Sequence, residues 1–155
     1  MEMGKKIMEN KKAERIKFRW ESEVEYNYRN VISKVSGKVG QVLRDIDEIS
    51  KQEKPDYAPV KEEVRKNKNE VKRLLVPECY QLTNDMLLEG YDYYLRAFDI
   101  LIFEFIVNND KVNINKINKA ATFIEAGNSF MNIVACKNFE LFEKQQAEYN
   151  ERNKN

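Results

Sequence analysis

Apolar side chains return every third or fourth residue along most of this chain, the spacing that lines one face of an α-helix. The densest run lies between Pro77 and Asp110. There Tyr80, Leu87, Tyr91, Tyr94, Phe98, Leu101 and Phe105 alternate in steps of four and three once Asn84 fills one slot. Leu88, Leu95 and Ile102 add a second row, so this helix is predicted to touch at least two others. Upstream, Ile16, Trp20, Val24, Tyr28, Ile32, Val35, Val39, Val42, Ile46 and Ile49 form a coiled-coil-like seam, and a helix is expected over 14–51. Gly37 and Gly40 fall inside it. Because the seam crosses them without a register slip, the helix is expected to be unbroken there.

Prolines and asparagines punctuate the rest of the chain. Pro55 ends the first helix, and Asp56 and Pro59 suit the first turn of the next. Val60, Val64, Asn67, Val71 and Leu74 continue the alternation, with Asn67 read as a half-exposed position rather than a register-fixing polar residue. Pro77 either opens a new helix or kinks a single one, and the chain is expected to keep its direction there, since Val76 leaves no space for a reversing loop. Asn108 suits the left-handed residue of a helix C-cap, and Asn113 or Asn115 can cap the helix after it. That last helix, 114–148, has the seam Ile117, Ala120, Ile124, Gly127, Met131, Val134, Asn138 and Leu141. The predicted fold is an all-α antiparallel bundle of three long helices, 14–51, 59–76 kinking near Pro77 into 77–109, and 114–148. A four-helix bundle is the alternative. The domain reading is a flexible basic segment over 1–13, one bundle over 14–148 and a polar tail over 149–155.

Composition agrees with this and removes several kinds of chemistry. The 155 residues include five Gly and three Pro, and 42% are hydrophobic, which favours long helices and one sizeable core. The absence of His excludes His-dependent triads, HExxH zinc sites and Glu-x-x-His di-iron bundles. No phosphate-binding loop, nucleophile elbow, CxxC or paired-carboxylate motif stands in for them, so the chain is read as non-enzymatic, without cofactor or catalytic residue. In a hairpin turning near Lys111, Cys136 falls opposite Met86, an offset of roughly 10 Å from Cys79 at 1.5 Å per residue. Both thiols are therefore expected to be unpaired and packed as small apolar residues.

Three features carry candidate function. Asp85, Glu89, Asp92 and Asp99 share a stripe with Arg96, read as a divalent-cation site built on Asp85, Glu89 and Asp92, as a docking strip for a basic partner, or as a solvated face with internal pairing. Tyr91, Tyr93, Tyr94 and Phe98 are the candidate binding residues, either lining an aromatic cleft between helices or serving as core. Tyr93 lies off the seam and is expected to be exposed. The basic runs Lys5–Arg19 and Lys61–Arg73 are interleaved with Glu and carry no nucleic-acid motif, so they are read as coiled-coil flanks. The net charge of +1 points to no class of partner. The leading expectation is a helical interaction module, associating with itself through the Trp20–Ile49 helix or with another protein. The alternative is a small-ligand binder.

The run Pro77–Tyr80, Leu87-Leu88-Glu89-Gly90-Tyr91, Tyr94 and Ala97-Phe98-Asp99, followed by INKINKA and IEAGNSF, resembles uncharacterised helical proteins and lipoprotein ectodomains of Firmicutes. The resemblance covers about residues 77–135. It implies a bacterial protein with a Pro-led helix and an Ala/Gly-containing helix paired in a bundle, and it implies no activity. No lipobox Cys, secretory signal or membrane-length apolar run is present, since Glu104 interrupts ILIFEFIV. The expected compartment is the cytoplasm, or outside the membrane if the native N-terminus carries a signal or lipid anchor.

Overall fold

The computed structural model describes residues 21–154, and among these there is no β-strand. Four helices follow one another: α1 (Glu23–Ser50), α2 (Ala58–Lys72), α3 (Gln81–Ile102) and α4 (Ile114–Arg152). The all-α expectation holds, and the four-helix alternative fits better than three helices with a kink.

The break is at Pro77. The residue before a proline is driven out of the α region, and residues 73–77 leave the helix before a 3₁₀ turn, Glu78–Tyr80, leads into α3. Pro77 is itself extended (ψ 147°), and its carbonyl accepts the Tyr80 N–H at 2.9 Å. Here the chain reverses rather than continuing. Lys61 pairs with Asp99, and Lys68 with Asp92, so early α2 meets late α3. Five non-helical residues suffice for that turn, within the usual range for helix–helix connections.

α1 is unbroken at Gly37 and Gly40, as its seam predicts, but it starts at Glu23 rather than 14. Ser22 is extended (ψ 164°), and its side chain accepts the Glu25 N–H at 3.1 Å, the N-cap of this helix. Ile16, Trp20 and the 1–13 segment lie outside the described residues. α4 runs to Arg152, a turn past the predicted 148, with Asn113 as its N-cap.

The end of α3 differs from expectation. Phe103–Val107 forms a π-helical turn closed by the Asn108 N–H on the Phe103 carbonyl at 2.8 Å, and Asn108 has φ −103° instead of the left-handed cap. The turn points Glu104 inward, fully buried. Its carboxylate accepts the Asn113 N–H at 2.9 Å and the Asn108 amide at 3.3 Å, with the Lys116 ammonium 3.8 Å away. The Asn113 N–H, then Asn108 and Lys116, hold its pKa below the ordinary carboxylate range. A single buried acid thus ties the end of α3 to the start of α4.

The core forms where the seams meet. Tyr28, Val35, Val39 and Val42 of α1, Val60, Val64 and Val71 of α2, and Leu87, Tyr91, Tyr94, Ala97, Phe98 and Leu101 of α3 are all buried, with Ala120 and Val134 from α4. Asn67 is buried too, at 2% exposure, with its amide nitrogen unpartnered, so the half-exposed reading of that position is overturned. Its neighbours in the α2 seam, Val64 and Val71, are sealed, and they carry Asn67 inside with them.

Candidate interaction groove

Sequential helices pack as neighbours, α1 on α2, α2 on α3 and most extensively α3 on α4, while α1 and α4 do not close on each other. The reason is local. The flank of α1 that faces α4 carries Ser33 and Ser36, and the facing flank of α4 carries Asn128, Asn132, Ala135 and Asn138. Where these short or polar side chains face each other they do not interdigitate, and Arg29 on the Phe142 ring spans the two helices at one end. The result is a groove of about 750 Å³ with α1 and α4 as walls and α3 as floor.

The floor is aromatic and apolar, formed by Tyr80, Leu87 and Tyr94, with Tyr28 and Ile32 at its α1 edge. Its hydroxyls are committed. Tyr28 donates to the Asn84 carboxamide oxygen at 2.9 Å, and Tyr94 donates to that of Asn128 across the α3–α4 interface. Burial pushes Tyr94 up to about 12; burial, then the nearby Cys79 and Glu25, do the same for Tyr80. The tyrosines are therefore neutral at any physiological pH and supply no base. On the lips, Leu43 is 37% and Phe139 61% exposed. The Asn138 carboxamide oxygen, also in the lining, has no hydrogen-bond donor.

One end of the groove is ionic. Arg29 makes two bonds to the Glu21 carboxylate, at 2.8 and 2.6 Å, while its guanidinium lies 5.1 Å from the centroid of the Phe142 ring. The Glu21 side chain is only 1% exposed, so residue 21 is clamped onto a groove-lining side chain two turns along α1.

The four predicted binding residues do not share one cleft. Tyr94 reaches the groove floor. Tyr91 is sealed in the core, and Phe98 stacks on Tyr57 at 6.3 Å. Tyr93 is half-buried rather than exposed, because α4 covers it: Phe130 and Phe123 lie 5.5 and 5.9 Å from its ring, with Arg96 on it at 5.3 Å. The acidic stripe is also dispersed. Asp92 and Asp99 are taken by α2 lysines, Asp85 and Glu89 stay exposed, and no three metal-ligating side chains gather among the described residues. Cys79 and Cys136 are unpaired, as the offset predicts. They are exposed rather than packed, and the Cys79 sulfur accepts a hydrogen bond from the Gln145 amide of α4 at 3.3 Å. Of the α1 seam proposed for self-association, Tyr28, Ile32, Val35, Val39 and Val42 are buried inside the chain's own bundle, Val24, Ile46 and Ile49 are half-buried, and Trp20 lies outside the described residues.

Sequence reasoning missed the groove lips. The signal was present: Ser33, Ser36, Gly37 and Gly40 place small residues along one side of the α1 seam, and Phe139 and Phe142 stand off the α4 seam. Among the described residues no helix is long and apolar enough to cross a membrane. Comparison of the chain with protein-family models, with curated proteins and with solved structures gives no match.

Proposed function

We propose that the chain is a non-catalytic interaction module whose α1–α4 groove receives an amphipathic helix, a second copy of the chain being the first partner to test. The observation that carries this is the open groove itself, apolar along its floor and rimmed by Leu43 and Phe139. Helix-in-groove recognition uses such a trough, with anchors spaced three and four apart entering from the guest. The lining supports a non-enzymatic reading: among the described residues its one charged side chain, Arg29, is paired with Glu21, and its tyrosines are held neutral. Light scattering over a wide concentration range is the test. Association that Phe139→Arg abolishes, with the circular dichroism melt unchanged, is the expected result. A wild-type chain that stays monomeric throughout ends the self-association reading.

A small ligand is the second reading, favoured by the groove volume, which falls within the ~300–1,000 Å³ of ligand sites. Native mass spectrometry separates the two, since a co-purifying small molecule adds a discrete mass to the monomer.

A further inference from the structure

We propose that the tip of the α3–α4 hairpin docks the protein onto an anionic lipid surface. Phe103, Ile106, Val107 and Ile114 enter the headgroup region, and Lys111, Lys116 and Lys119 face the lipid charge.

Side chains at this tip are sorted in the reverse of the usual order, with an acid inside and apolar groups outside. Nine large apolar residues are exposed among the described residues, and four of them, Phe103, Ile106, Val107 and Ile114, fall between positions 103 and 114. Glu104, in their midst, is fully buried. Within the π-helical turn Phe103–Val107, Glu104 turns inward onto the Asn113 N–H and the Asn108 amide, while Phe103, Ile106 and Val107 stay outside. Turns of this kind are rare and collect at functional sites. The neighbouring helix stops short of them. Lys61 on Asp99 and Lys68 on Asp92 set a register that puts Ala58, the first residue of α2, level with Ile102. Across the hairpin, the Lys116 ammonium lies 5.5 Å from the centroid of the Phe103 ring and Asn113 is bonded to Glu104, so Ile114 belongs to the same patch.

Charge selects the occupant. Over residues 103–122 three ammonium groups, Lys111, Lys116 and Lys119, stand at the surface against one carboxylate, Asp110, because the charge of Glu104 is turned inside. The 51–56 connection, brought to this end of the bundle by Tyr57 lying 6.2 Å from Phe105, adds Lys51 and Lys54 against Glu53 and Asp56 and leaves the balance unchanged. An exposed apolar patch with cations around it combines the two weak signals that together hold a protein on anionic lipid. Lysine stems can lie along the apolar groups while their ammonium heads reach the phosphates. The attachment is to the surface, since among the described residues no helix is long and apolar enough to cross a membrane. None of the four apolar residues lines the α1–α4 groove, so lipid docking is independent of the groove reading.

Co-sedimentation of the full chain with vesicles tests this, using phosphatidylcholine alone and phosphatidylcholine mixed with phosphatidylglycerol. Binding to the mixed vesicles should be tighter by about ten-fold or more. Lys111→Gln and Lys119→Gln should each weaken it about five-fold. Val107→Ser combined with Ile114→Ser should weaken it about ten-fold, with the circular dichroism melt retained because both positions are exposed. Leu82→Ser, at an exposed apolar position at the opposite end of α3, should bind as the wild-type chain does. Four results each overturn the proposal: no binding of the wild-type chain to mixed vesicles, equal binding to phosphatidylcholine alone, indifference to the lysine or the apolar variants, or self-association without lipid that Val107→Ser with Ile114→Ser abolishes, which assigns the tip to a second copy. None of these depends on whether Phe139→Arg changes the mass seen by light scattering.

Discussion

α3 and α4 carry the same alternation of three and four, yet they occupy different surroundings. Of the 22 residues of α3, nine are buried; of the 39 of α4, only three are. α3 has α2 on one side and α4 on the other, while the Tyr28 hydroxyl reaches it from α1. Among the described helices, α4 packs closely on α3, and its other flank forms a groove wall. Periodicity therefore tells which face of a helix is covered. How many neighbours cover it depends on the size of the residues beside the seam.

Truncation at matched aromatic positions gives the largest expected contrast. Phe98 is fully buried against Tyr57, and Phe98→Ala should cost about 3–5 kcal/mol of unfolding free energy. Phe139→Ala, on the open flank at 61% exposure, should stay within about 0.5 kcal/mol. Urea melts of the two variants settle it, and comparable losses would mean that α4 is covered on both sides.

Alkali probes the closed side next. Burial raises Tyr28, Tyr80, Tyr91 and Tyr94, with Tyr80 and Tyr94 reaching about 12 against an unperturbed 10.0. A raised pKa means the fold favours the neutral phenol. The stability this contributes is intact below pH 10 and is lost as pH rises toward 12, because the unfolded chain ionises first. Tyrosinate absorbance and helicity should therefore change together in one cooperative step. Tyrosinate that develops near pH 10 while helicity persists would show these rings to be accessible.

The glycines sharpen the contrast at a smaller scale. A Cβ on Gly127 would sit 2.8 Å from Cε1 and 2.9 Å from Cδ1 of Tyr94, a buried ring fixed by its bond to Asn128. Gly127→Ala should destabilise by about 1–2 kcal/mol despite the gain in helix propensity. At Gly37 nothing lies within 4 Å of the added methyl, so Gly37→Ala should stabilise by about 0.5–1 kcal/mol. Thermal melts that move in the same direction for both would place the close approach elsewhere.

Much of this was legible in the sequence, for identifiable reasons. Each seam named the buried face, since the core residues Val35, Val64, Tyr91, Phe98 and Val134 are all seam positions. The α3–α4 register was legible too: Gly90 lies against Met131, and Gly127 against Tyr94, as an antiparallel hairpin requires. Chain reversal at Pro77 was not, because a short turn and a kink share the same Val-Pro signature and differ only in tertiary pairing. Nor was the groove, which arises from side chains that are absent between α1 and α4 rather than from any motif. Tyr93 was misplaced for a related reason: being off the α3 seam suggests solvent only when no second helix reaches around, and Phe123 and Phe130 do.

The smallest effect concerns the acidic stripe, where the closed α2–α3 side and the cation reading make opposite demands. Asp92 and Asp99 meet Lys68 and Lys61 at partly exposed positions, with Asp99 60% and Asp92 42% exposed. Ion pairs so placed are worth about 0–1 kcal/mol and are weakened by salt. Asp99→Asn should therefore lower stability by no more than about 0.5 kcal/mol, and Asp92→Asn by slightly more, since its lysine is only 18% exposed. Both losses should shrink in high salt, and millimolar calcium or magnesium should leave the melting temperature of the wild-type chain unmoved. A cation that raises it, with the rise abolished by Asp92→Asn, would show that the carboxylate has a second occupation. The lysine would then be its counter-ion only when the metal is absent, and the pairing of α2 with α3 would rest on the apolar contacts of Val60, Val64 and Val71.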